Sequence, residues 1–267
     1  MLGLNFNKII IIGILNITPD SFSDGGLFVD ADKAFEHAMQ MVKDGADIID
    51  IGGESSRPGS EPVSEDEELR RIIPVVERLL RESDVIVSID TCKPKVAEAC
   101  LKKGAHMIND ITGLRNEKML KLAAEYNAPA VIMHMKGNPK NMQENPSYED
   151  VVTEIKDFFR GRINEARKYG VNDIILDPGI GFGKTTLHNL QILKRLNEFK
   201  DLQCPILVGT SRKSFIGNIL GLPANERLEG TLASVAIAVA NGADMVRVHD
   251  VKECRRAVQI ADAVRRA

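Results

Sequence analysis

Three short side chains tipped with oxygen close apolar runs of this chain. Asp90 ends "DVIVSID", Asn109 stands in "GAHMINDITG" and Asp177 in "GVNDIILDPG". Carboxylate and amide oxygens taken out of water need donors or a cation. A flat heterocycle with N–H groups along one edge would satisfy them. Acceptors on its other edge would be met by Lys213 and the Asn109 amide. Alone, each aspartate reads more simply as a helix cap or a structural ion pair; three at corresponding places point to a site. A second set is Asn16, Arg247 and His249. Arg247 and His249 are two apart, so on a strand they share a face. Arginine forks onto phosphate oxygens and imidazole adds a donor, so this set suits an anion. Asn16 offers an amide oxygen of the kind Mg2+ takes beside phosphate oxygens, although alone it would pass for a turn residue.

The stretch "DPGIGFGK" (177–184) has the look of a phosphate loop, but its spacing excludes one. A P-loop has four residues between its first glycine and the Gly-Lys pair. Only three follow Gly179 here, and the position one earlier is Pro178. A dinucleotide fingerprint fails too, because Lys184 stands where its third glycine belongs. These glycines are expected instead to turn the backbone tightly after Asp177 and bring Phe182 to the site. Two further loops, "NITPDSFSDGG" (16–26) and "GGESSRPGS" (52–60), are rich in turn formers and carry Phe22, Asp24, Ser56 and Arg57. Such loops can close over a ligand or serve only as solvated connections.

Eight apolar runs would position these residues. Four begin just after a glycine, at 45, 104, 170 and 242, as expected where a helix ends in a left-handed residue and a buried strand follows. The others are 8–15, 84–90, 128–134 and 204–209. Helical spacing covers 31–44, 93–103, 116–126, 148–169, 226–241 and 251–265. Ser64 and Glu67 form a capping box that opens a helix to about Arg81, with a kink or break expected at Pro74. In 187–199, Leu187, Leu190, Leu193, Leu196 and Phe199 fall at helical spacing. One uninterrupted alternation of strands and helices over 1–267 predicts an α/β chain forming a single-domain (β/α)8 TIM barrel; a doubly wound open sheet is the alternative. Barrel chemistry sits at the C-terminal strand ends, and every strand here ends in polar or charged residues.

The gross numbers agree with a soluble enzyme-sized fold. The chain has 267 residues, 27% of them charged, and a net charge of −3, which speaks against nucleic acid as a partner. The run "IIIIGIL" is too short to span a membrane and has no basic flank, so neither a membrane nor a secretory signal is expected. The four cysteines make no C-x-x-C pair and read as reduced thiols of a cytoplasmic protein.

The motifs "GILNITPDSFSDGG", "DIGGESSRPG", "SIDT", "INDITG", "HM", "DPGIGFGK", "GTSRKSFIG" and "RVHDV" together resemble the dihydropteroate synthase family, in order and over essentially the whole chain. The resemblance implies a pterin-binding barrel and a Mg2+-dependent condensation. 6-Hydroxymethyl-7,8-dihydropterin diphosphate would react with 4-aminobenzoate to give 7,8-dihydropteroate and pyrophosphate. Asp90, Asn109, Asp177 and Lys213 would hold the pterin, Asn16 would ligate Mg2+, and Arg247 with His249 would bind the diphosphate. Ser56, Arg57, Phe22, Asp24, Phe182 and Ser214 would lie around the aminobenzoate. Asp90 and Asp24 would stabilise positive charge at the pterin methylene, and a homodimer and sulfonamide sensitivity are family expectations. One departure is Ser56, where the family usually has threonine: the hydroxyl survives and a methyl is lost. Two other readings stand beside this one. A pterin-dependent methyltransferase domain shares the barrel but has no need of a diphosphate clamp, and a binding-only paralogue would keep the site without the reaction.

Overall fold

The computed structural model describes residues 4, 6–18, 26–55, 62–137 and 141–267, with only the backbone of 26–30 described. Its strands are β1 (Ile10–Asn16), β2 (Ile48–Gly52), β3 (Ile86–Asp90), β4 (Met107–Asp110), β5 (Ala130–Met133), β6 (Ile174–Asp177), β7 (Leu207–Val208) and β8 (Met245–Val248). All pair in parallel, in the order β6-β5-β4-β3-β2-β1-β8-β7. A single parallel bridge, Leu176 to Ile206, joins the two ends of that series and closes the barrel. Strands buried on both faces and joined by helices are what the near-continuous Ile/Val runs dictate.

The helices are α1 (Gly26–Lys43), α2 (Glu65–Glu82), α3 (Pro94–Lys103), α4 (Glu117–Glu125), α5 (Val151–Lys168), α6 (Thr186–Lys194), α7 (Ser214–Leu220), α8 (Leu228–Ala240) and α9 (Val251–Arg266). Inside the barrel Ile10, Ile12, Ile48, Met107, Val131, Ile175, Leu207 and Met245 form one apolar layer. Outside it, Ile11, Ile49, Ile51, Val87 and Ile89 pack on α1, α2, α3, α8 and α9, and a second cluster joins β4–β6 to α4–α6. Burying this apolar surface, at about 25 cal/mol per Å2, is the main force that closes the ring.

Four expectations need correction. α2 runs unbroken through Pro74. Pro74 lies on the exposed side while Ile72, Val75, Val76 and Leu79 are buried on the other, so the Arg70 carbonyl that loses its donor faces water. Ser64 Oγ accepts from Glu67 N, but the Glu67 carboxylate turns to Arg70 and Arg71, so only half of the capping box forms. The Leu187–Phe199 stretch is α6 followed by a 3-10 turn over Leu196–Leu202. There Leu193, Leu196 and Phe199 are buried while Leu187 and Leu190 are exposed. β7 is also followed by two helices, α7 and α8, where helical spacing marked one.

Candidate active site

Side chains alternate along a strand, so two residues beyond the interior layer the chain again faces the barrel axis. Those positions are Ile14, Asp50, Ser88, Asn109, Met133, Asp177, Gly209 and Arg247. Apolar filling thus gives way to charge at one level of the barrel. Above it a cavity of about 710 Å3 opens, lined by Asn16, Asp90, Asn109, Asp177, Phe182, Lys213, Ser214, Arg247 and His249 among others. Every described residue of the expected site is therefore at one mouth. Phe22, Asp24, Ser56 and Arg57 lie outside the described residues.

The two expected sets are one array. Arg247 Nε donates to Asp50 Oδ2 at 2.6 Å, and its Nη2 donates to Asp90 Oδ2 at 2.6 Å. Asn109 Nδ2 donates to the same Asp50 oxygen at 2.8 Å. Arg247 therefore stands among the carboxylates, with two of its five N–H groups engaged by them. Asp50 is the residue that sequence reasoning missed. It is mid-strand in "IIDIG", not at a strand end, and the signal was a carboxylate inside an otherwise apolar run.

The glycines of 177–184 do what a tight turn requires. Asp177 Oδ1 accepts from Gly179 N at 2.7 Å. Gly179 has φ +68°, and a Cβ there would sit 2.0 Å from the His134 carbonyl oxygen. The turn brings Phe182 to the cavity, where Lys213 Nζ lies 4.0 Å from the ring centroid. This cation–π contact steadies an ammonium that the cavity half buries. Lys184, at the end of the motif, turns inward: its Nζ donates to Phe182 O (2.9 Å) and His134 O (3.2 Å) and lies 3.0 Å from His134 Nδ1. It ties the loop to the end of β5 and does not face the cavity.

Lys213 caps α7 and Ser214 opens it. The preceding Arg212 holds a left-handed φ of 57°, a strained conformation kept by its ion pair with Asp250 and by the hydrogen bond its backbone N–H donates to Thr231 Oγ1. Ser211 Oγ lies 2.9 Å from His249 Nδ1, which orients that ring.

Burial sets the charges. It pushes the Asp177 carboxyl up, against the Gly179 N–H and the Lys213 charge. It also pushes the Asp90 carboxyl up, against Arg247. Burial lowers the Lys213 ammonium to about 8, although Asp177 supports its charge. It works against the Arg247 charge too, but Asp50 and Asp90 outweigh it and raise that pKa. The array thus sets three carboxyl groups against one arginine and one lysine in a largely desolvated setting.

A parallel eight-stranded barrel whose cavity alternates buried carboxylates with lysine and arginine is a site for a polar heterocycle, and comparison with known proteins agrees. Residues 12–249 match the family model described as pterin binding enzyme. The dihydropteroate synthase of Escherichia coli K12 is 49% identical over 255 residues, covering 95% of this chain and 90% of that one. The crystal structure of Yersinia pestis dihydropteroate synthase with a sulfonamide drug superposes with a TM-score of 0.94 at 47% identity, over 99% of this chain and 97% of that one. The Xanthomonas albilineans dihydropteroate synthase with 4-aminobenzoic acid gives 0.92 at 41% identity, over 99% and 96%. The chain belongs to the pterin binding enzymes, and within them to the dihydropteroate synthases, transferases that make dihydropteroate.

Proposed function

We propose that the cavity divides the condensation among its residues as follows. Asp90, Asn109, Asp177 and Lys213 hold the pterin ring, and the acceptor oxygens meet its N–H edge. Arg247, on β8, and His249, just past its end, hold the diphosphate of the pterin substrate. 4-Aminobenzoate enters beside Phe182, Lys213 and Ser214, with Phe22, Asp24, Ser56 and Arg57 assigned there from the sequence. The observation that carries this reading is that all the described candidates converge on one charged cavity.

The reaction is substitution at the pterin methylene carbon. Its C–O bond breaks and diphosphate leaves with the electron pair, and the aromatic amine forms the new C–N bond and sheds a proton to water. The amine is neutral at pH 7, so no strong base is required. Arg247 stabilises the departing charge, and Asp90, with Asp24, stabilises the positive charge that develops on carbon.

Asn16 fits Mg2+. Its side chain lines the cavity at the end of β1, the neighbour of β8 with Arg247 and His249, and Mg2+ shared with a substrate needs only one or two protein oxygens. When bound, the ion supplies positive charge to the leaving group. Among the described residues no group of three or more His, Cys, Asp or Glu is arranged for a metal.

Two further assignments belong to the proposal. The four cysteines are free, which suits the reducing cytoplasm. Leu187 and Leu190 of α6, Ile219 and Leu220 of α7 and Ile237 of α8 are exposed apolar side chains on three contacting helices, a surface suited to a homodimer. No helix among the described residues is long and apolar enough to cross a membrane.

The test is pyrophosphate release. It should require the pterin diphosphate, 4-aminobenzoate and Mg2+ together; release without the aromatic amine would refute the condensation.

A further inference from the structure

We infer that Asp50 is a positioning residue: it fixes which end of the Asn109 amide faces the cavity, and so which edge of a ring the site accepts. The inference rests on the reading that Asn109 contacts the pterin.

An asparagine amide is nearly symmetric in shape but not in chemistry. A half-turn about its last bond exchanges an acceptor oxygen for a donor NH2 with little steric change. A binding site that relies on one end must therefore lock the rotation. Asp50 does so by chemistry: an ionised carboxylate only accepts. Its Oδ2 takes a hydrogen bond from Asn109 Nδ2 at 2.8 Å, and the flipped amide would bring oxygen against oxygen. The same Oδ2 accepts from Arg247 Nε at 2.6 Å, so two cavity side chains are oriented from one atom.

The burial of Asp50 argues for a specific purpose. It is 1% exposed, and its other oxygen, Oδ1, is buried without a hydrogen-bond partner. Its registered neighbour on β3, Ser88, likewise has a buried Oγ without one. A half-satisfied buried carboxylate opposes stability. The layer beneath it is apolar, so a hydrophobic side chain would extend that packing. What the carboxylate adds at this position is the orientation of Asn109 and Arg247.

One N–H of the amide is bonded to Asp50, which turns the Asn109 oxygen to the other side; there it accepts from a ring N–H, whereas the sequence suggests that this amide donates to the ring's acceptor edge. The cavity should therefore prefer a ring bearing an amino group to the same ring bearing a carbonyl there. The probes are 6-hydroxymethylpterin and its 2-oxo counterpart, 6-hydroxymethyllumazine, titrated into the whole protein. The unmodified protein should favour the pterin at least tenfold. Asp50→Asn lets the amide adopt either orientation, so that ratio should fall severalfold, Asp90 and Asp177 keeping the remainder. Asn109→Ala should lower it alike, and the double variant should fall no further than Asn109→Ala alone. If Asn109→Ala lowers the ratio and Asp50→Asn does not, Asp50 has no positioning role while the pterin reading stands. If Asn109→Ala leaves pterin affinity unchanged, the pterin reading of Asn109 fails and this inference with it. Should Asp50→Asn not fold, the unmodified protein still decides. With nitrogen-15 asparagine, one Asn109 amide proton should exchange slowly with water, and two rapidly exchanging protons would overturn the proposal.

Discussion

At the scale of single residues, Lys213 is a group whose charge the site controls. Burial lowers it to about 8, below its ordinary value, so the ammonium loses its proton progressively as pH rises through that value. Its contribution to pterin affinity should be full at pH 7 and decline as pH rises through 8. Pterin titrations between pH 7.5 and 9.5, above the range of the Asp90 carboxyl at about 7, should show that break, and Lys213→Ala should abolish it while weakening binding at pH 7 by about 1.5–3 kcal/mol. A pH-independent affinity in the unmodified protein would remove the ammonium from the site. The single residues also show what a sequence can reveal. Asp90, Asn109 and Asp177 were legible because polar side chains at the ends of apolar runs must meet at one barrel mouth. Asp50 was not, because "IIDIG" reads as a fully buried strand until its pairing with Asn109 and Arg247, 59 and 197 residues away, is known.

At the scale of elements, local rules held where the chain had no alternative and failed where tertiary packing supplied one. The glycines before β2, β4, β6 and β8 all take left-handed φ, so those strand starts were readable. Pro74 was misread because its effect depends on which side of α2 faces water, and Leu187 and Leu190 because spacing shows a face but not what covers it. Substitutions at two glycines and at Pro74 test the backbone geometry. Gly161 lies inside α5, and a Cβ added there would meet nothing within 4 Å, so Gly161→Ala should stabilise the fold by about 0.5–1 kcal/mol in urea denaturation. Gly179→Ala should destabilise it by about 3 kcal/mol or more, because the His134 carbonyl blocks the site and φ is positive. Pro74→Ala should restore a donor for the Arg70 carbonyl and raise stability by about 1–3 kcal/mol. A loss of stability would mean that the proline is preferred in that turn.

At the scale of the whole molecule, the proposed homodimer rests on the exposed apolar residues of α6, α7 and α8. Leu187→Glu combined with Ile219→Glu should shift a dimer to monomer in sedimentation velocity and leave the far-ultraviolet spectrum of the barrel unchanged. A monomer before substitution would remove that surface from the proposal. The barrel itself is uneven in strength. β1 and β2 share five paired positions, whereas β6 and the short β7 segment meet at a single bridge. Asp177 stands at the end of β6 and Lys213 just past β7, on opposite sides of that seam. A ring gripped by both acts as a rivet across the thinnest join of the barrel. Hydrogen–deuterium exchange should then slow on pterin binding chiefly in 174–177 and 204–209, and little in 10–16 or 48–52. The substrate that the closed ring creates room for would be, for as long as it stays, one of the parts that keep the ring shut.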